Sequence, residues 1–180
     1  VSLGDRGVRF GSDAAGAVTS STASLTIRGD DLEYNDLSFG FSNSLESTGG
    51  MVMESHSSSF SSAFDYENFD LDPSVSSVRI GKTTNTANVV IKDPVAMAGP
   101  ISIYGGDILL EEDLTSTLSG ADVLVKGRGD VEAVASRSFL TNNGDIVFWS
   151  NSDNSGVGSI KLGNDNVLNS SNGRSGDTDS

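Results

Sequence analysis

Two Arg-Gly-Asp tripeptides, Arg28-Gly29-Asp30 and Arg128-Gly129-Asp130, are the most chemically suggestive residues in this chain. The Asp carboxylate of such a tripeptide can complete a metal site on an integrin-type receptor. A structural reading competes with that one. Gly-Asp recurs without Arg at Gly106-Asp107 and Gly144-Asp145, each time just before a stretch of alternating residues. Glycine takes up tight backbone conformations and Asp bonds to nearby backbone, so the pair suits a corner. Trp149 follows Phe148 directly, and in a strand only one of two neighbours can point inward. An outward Trp149 would offer a ring to a sugar or a neighbouring chain; packing under a loop is the expected outcome.

Carboxylates cluster at Asp30-Asp31-Glu33, Asp65-Glu67-Asp70-Asp72 and Glu111-Glu112-Asp113. Paired acids with Lys92, Lys126 or Arg128 alongside would be the apparatus of a polysaccharide lyase or glycosidase. That needs adjacent segments to align them, and the expectation is a protein that is not an enzyme. The oxygen-rich runs Asn151–Gly156 and Asn164–Asn166 make Asp153, Asn154, Asn164 and Asp165 the candidate calcium ligands. Neither run follows the EF-hand loop or a nonapeptide calcium repeat, so ordinary polar corners with no cofactor are the expected reading. The chain has no Cys and one histidine, His56, which removes thiolate chemistry, Cys-ligated metal and a His-pair metal site.

The net charge is −14, with 12 acids against 3 bases up to residue 75 and 13 against 8 beyond it. Nucleic acid and anionic membrane surfaces both require Lys and Arg, so neither is an expected partner. No apolar run approaches the ~20 residues that span a bilayer. Hydrophobic residues make up 36% of the chain, enough for a thin, linear core. Val1 opens into a polar, Gly-rich segment, which reads as the start of a mature piece or of a fragment of something longer.

The elements that must position these groups come from one recurring phrase: a Gly-containing turn, a polar residue, then alternating apolar and polar residues. It appears at Val78–Gly81, Ile101–Ile103, Gly106–Leu110, Asp122–Val125, Gly129–Ala133, Gly144–Phe148 and Ser159–Leu162. The centres Ile80, Ile101, Val123 and Ile146 lie 21, 22 and 23 residues apart, with Val167-Leu168 taken as one further step. A fixed period of this length, with bends and no helical pattern between strands, predicts an all-β parallel β-helix, a β-solenoid of about 21–23 residues per coil. The predicted core is Ile80, Ile101, Ile103, Ile108, Val123, Val125, Val131, Ile146, Phe148 and Ile160. Residues 1–75 read as irregular β-rich coils or a cap, 76–168 as regular coils and 169–180 as a polar tail or linker. Within the first part, short strands are expected at Val8–Gly11, Leu25–Arg28, Leu37–Phe41 and Met51–Glu54. Phe60, Phe64, Tyr66, Phe69 and Leu71 are expected as core plugs or an end cap on extended chain.

The runs Val78-Arg79-Ile80-Gly81-Lys82-Thr83-Thr84-Asn85-Thr86-Ala87-Asn88-Val89-Val90-Ile91 and Ala98-Gly99-Pro100-Ile101-Ser102-Ile103-Tyr104-Gly105-Gly106-Asp107-Ile108 resemble segments of filamentous-haemagglutinin-like bacterial exoproteins and autotransporter-type adhesins. Ser57–Phe64 is similar to their usual lead-in, and the likeness covers about Met51 to Leu162. The resemblance implies a right-handed β-helix, export to the cell surface or medium, and a shaft or adhesive role. Partners implied by it are other copies or neighbouring repeats of the same protein, with a surface glycan or host receptor as ligand.

Overall fold

The computed structural model describes residues 24–32, 44–45, 49–67, 70–71, 73 and 75–171. In chain order its strands are β1 (Leu25–Arg28), β2 (Ser44–Leu45), β3 (Gly50–Glu54), β4 (Phe64–Tyr66), β5 (Asp70–Leu71), β6 (Ser77–Ile80), β7 (Val89–Ile91), β8 (Val95–Met97) and β9 (Ile101–Gly105). They continue with β10 (Ile108–Leu110), β11 (Leu114–Ser119), β12 (Val123–Gly127), β13 (Val131–Ala133), β14 (Ser138–Asn142), β15 (Ile146–Trp149), β16 (Ile160–Leu162) and β17 (Val167–Asn169). The described residues contain no helix. The expected strands at Val8–Gly11 and Leu37–Phe41, Phe69, and residues 172–180 lie outside the described residues.

Each strand pairs in parallel with the equivalent strand of the next coil. The first sheet runs β1-β3-β6-β9-β12-β15, the second β4-β7-β10-β13-β16 and the third β8-β11-β14-β17; β2 pairs with β5. Four coils, β6–β8, β9–β11, β12–β14 and β15–β17, each give one strand to each sheet, and β3 and β4 carry the first two sheets one coil lower. The chain is therefore the parallel β-solenoid expected from its alternation.

From Val78 onward the first sheet keeps the expected coil of 22–23 residues, while the register corrects its phase and the other sheets vary more widely. On the first sheet Leu25, Met51, Val78, Ile101, Val123 and Ile146 are aligned, at steps of 26, 27, 23, 22 and 23 residues. Ile80 faces Ile103, two residues from the assumed phase. On the second sheet Phe64, Val89, Ile108, Val131 and Ile160 are aligned at steps of 25, 19, 23 and 29. Val167-Leu168 is not the next step of the first sheet; it belongs to the third, above Ser138 and Phe139. Strand pairing fixes only the residues in the ladder, so the corners are free to differ in length. Asn169, placed in the tail by composition, closes β17.

Inward positions alternate with outward ones, and the inward rows are fully buried through the middle coils: Val78, Ile80, Ile101, Ile103, Val123 and Val125 on the first sheet, Val89, Ile91, Ile108, Leu110, Val131 and Ala133 on the second. Ser116 and Thr141, inward on the third sheet, bond through their hydroxyls to the carbonyls of Gly99 (2.8 Å) and Gly144 (2.6 Å), which removes the cost of burying them. Phe60 and Phe64 stack with ring centroids 5.0 Å apart inside the lower coil, as core plugs. Phe139 meets Phe148 edge-on at 5.0 Å.

Three predicted core residues depart from the pattern, all in the last coil. Ile160 is 46% exposed, and Ile146 and Phe148 are only half-buried against the core. Their alternation is correct, but among the described residues no coil lies above them, so burial is one-sided.

Gly81, at φ +76°, turns the chain out of β6; a Cβ there would collide with the carbonyl oxygen of Tyr104 on the coil above. The close approach of coils thus excludes side chains at such corners as firmly as it fills the interior. Val123→Asp, which buries a carboxylate between two occupied coils, is expected to destabilise the protein by about 3 kcal/mol or more. Leu168→Asp on the open last coil should change stability by no more than about 0.5 kcal/mol. Urea unfolding followed by circular dichroism compares the two; equal losses would contradict this core.

Candidate functional site

Both Arg-Gly-Asp tripeptides sit at coil corners, with their charged ends engaged by neighbouring coils. Arg28 donates to Glu54 Oε1 from Nε (2.7 Å) and from Nη2, while Arg79 Nη2 donates to Oε2 (2.7 Å). Glu54 lies buried beneath the two guanidinium groups, and Arg79 chiefly, with Arg28, holds its carboxyl below the ordinary range. Asp30 accepts the backbone N–H of Ser57 at 2.6 Å, the main cause of its lowered pKa. Asp130 receives Lys161 Nζ at 2.5 Å on Oδ2, and the N–H (2.8 Å) and hydroxyl (3.0 Å) of Ser159 on Oδ1. Lys161 first, then Ser159, keeps it ionised. Arg128 lies 3.4 Å from Asp153.

Asp130 is one rung of a side-chain ladder. The Asn88 side chain accepts the N–H of Asp107 (2.9 Å), Asp107 accepts that of Asp130 (2.9 Å), and Asp130 that of Ser159. Asp122 serves Asp145 (2.8 Å) and Asp113 serves Ser138 (2.9 Å) in the same way. At a corner the strand ladder is interrupted, and an Asx side chain supplies the acceptor that the missing strand would have given. This accounts for the recurrence of Gly-Asp, with or without a preceding Arg.

Nothing in the neighbours of Asn85 marks it in the sequence. It is buried; its Oδ1 accepts from Phe60 N (3.2 Å), Ala87 N (3.2 Å) and Ser59 Oγ (2.8 Å), and its Nδ2 donates to the carbonyls of Ala87 (3.2 Å) and Tyr104 (3.0 Å). It ties three coils together at one corner.

Part of each of two acid clusters is drawn into ion pairs between coils, while Glu33 and Asp72 lie outside the described residues. Lys92 bridges Asp65 (2.5 Å) and Glu67 (3.4 Å), and Arg137 holds Glu112 at 2.9 Å. The candidate calcium loop is similarly occupied: Asp153 accepts the N–H of Ser155 (3.1 Å), which with Arg128 keeps its pKa low. Asn154 and Asp165 supply left-handed corners at φ 59° and 61°. The Asn164 carbonyl accepts Ser136 N at 2.8 Å. Among the described residues no three His, Cys, Asp or Glu side chains group as a metal site.

Trp149 is not packed under a loop. It is 48% exposed on the outer face of the first sheet, with Lys126 Nζ 3.8 Å from its ring centroid. Directly below Lys126 in the register lies Tyr104. At the end of the solenoid, Ile160, Leu162 and Leu168 stand in register above buried Val131, Ala133 and Phe139, yet each is 46% exposed. Among the described residues, an outer aromatic face and an apolar coil end are thus left exposed. No protein-family model, curated protein or solved structure matches the chain.

The ion pairs set a pH dependence. Asp30, Glu54, Asp130 and Asp153 have lowered pKa values, so their contributions are present at neutral pH and are lost as pH falls through and below about 4. Lys92 and Lys161 are raised by Asp65 and Asp130, so theirs persist below about 10.5 and disappear above it. Melting temperature should be level between these limits and fall on both sides, with Asp130→Asn shallower on the acid limb. Asn85→Ala, which leaves several buried groups unpaired, should cost about 2 kcal/mol, measurable by urea unfolding.

Proposed function

We propose that this protein is a non-catalytic structural and adhesive segment of a large repetitive bacterial surface protein, exported and serving as a shaft. The reading is carried by the last coil. Among the described residues, strands β15, β16 and β17 each have a neighbour on one side only, and their apolar rows end exposed in the same alignment as the buried rows beneath. Such an edge is a template for another coil, because unpaired N–H and C=O groups and a half-built core both gain by adding a parallel strand. Stacked units also have no intrinsic length limit, which suits a projecting fibre. The resemblance of residues 51–162 to haemagglutinin-like exoproteins points the same way, toward neighbouring repeats or other copies as the covering partner.

Sedimentation velocity tests the stacking. The protein should form larger species with rising concentration, more readily in higher salt, because screening weakens repulsion between chains of net charge −14. Ile160→Lys with Leu162→Lys and Leu168→Lys should remain folded and monomeric throughout. A wild-type monomer at all concentrations and salts, or association unaffected by the triple substitution, would refute the reading.

A further inference from the structure

We propose that the outer face of the first sheet, from β9 to β15, binds an acidic glycan, with sugar rings on Tyr104 and Trp149 and a sugar carboxylate on Lys126. This deepens the attachment side of the proposed function and fails separately from it, since stacking is read at the terminal coil and glycan binding at Trp149.

Parallel pairing puts Tyr104, Lys126 and Trp149 in one outward column, on three successive strands. Strands in a sheet lie ~4.8 Å apart, so the two rings are separated by two rungs, about the length of an extended disaccharide. The adjacent outward column holds Ser102, Leu124 and Val147. None of these six residues is acidic, in a chain of net charge −14. The face is therefore an uncharged, partly apolar strip with one cation at its centre.

That cation is distinctive. Among the described residues Arg28, Arg79, Lys92, Arg128, Arg137 and Lys161 each have a carboxylate within 4.0 Å. Lys82 is held by the carbonyls of His56 and Ser57. Lys126 has the Trp149 ring and, among the described residues, no carboxylate within 4.0 Å. An exposed cation–π contact contributes about 0.5–1 kcal/mol, little enough for an incoming carboxylate to redirect the amine while a sugar's C–H face takes the ring.

Charge complementarity identifies the ligand class. A single unpaired Lys matches a carboxylate borne on a sugar otherwise free of charge. Nucleic acid presents a phosphate at every nucleotide and demands a track of cations, which this face lacks.

Trp149 is the chain's sole tryptophan, so its fluorescence reports this face alone. Titration with a xylo-oligosaccharide bearing a single glucuronate should change Trp149 emission saturably, with binding weakened by salt. Lys126→Met, which keeps the ring as reporter, should weaken binding about tenfold, a loss of about 1.4 kcal/mol, with an unchanged circular dichroism spectrum. Tyr104→Ala should also weaken it, and Lys161→Met on another face should not. No saturable change, equal affinity for an uncharged cello-oligosaccharide, tighter binding of a thymidine oligonucleotide, or full affinity in Lys126→Met would each overturn the proposal.

Discussion

Each coil of this protein has its backbone and its apolar side chains satisfied only by the coils above and below. Nothing else in the architecture is independent of that constraint. A three-residue strand such as Val89–Ile91 has no stability of its own; it is held because Phe64–Tyr66 and Ile108–Leu110 flank it in register. Val89 and Ile91 are then fully buried. Energy therefore accrues along the axis, roughly one coil at a time, and the last coil receives half of what the middle ones do. The half-buried Ile146 and exposed Ile160 measure that deficit.

The corners solve a second problem created by the first. Where the chain turns from one sheet to the next, the regular ladder lapses and N–H groups lose their acceptors. Asn88, Asp107 and Asp130 restore them with side-chain oxygens, each reaching to the coil above. Asn85 does the same work from inside, bonding to three coils. Acidic residues are thus built into the fold as acceptors, and Lys92, Arg137 and Lys161 offset part of the charge they bring. The Arg-Gly-Asp tripeptides belong to this system: Asp30 and Asp130 both bond to backbone N–H groups on a neighbouring coil.

With inner faces filled and corners committed, two surfaces stand out as open among the described residues. One is the open coil end, where the chemistry is that of the core itself. The other is the outer face bearing Tyr104, Lys126 and Trp149, whose side chains project outward from the sheet.

The sequence alone determined the all-β class, the parallel stacking and the inward residues of the middle coils. Those depend on alternation, which is local, and on repetition, which a linear string displays. It also placed Gly-Asp at strand entrances, since Gly81-type turns and Asx acceptors are likewise local preferences. The register was different: Ile80 faces Ile103, and Val167 joins the third sheet, because corner lengths vary from coil to coil and only pairing in space counts the true step. Tertiary structure alone also decided which cations are paired, since Lys126 and Lys161 look alike in the string yet one meets an indole and the other a carboxylate. Burial followed the same division: Val131 and Ile160 have the same alternation, and only the presence or absence of a coil above distinguishes core from surface.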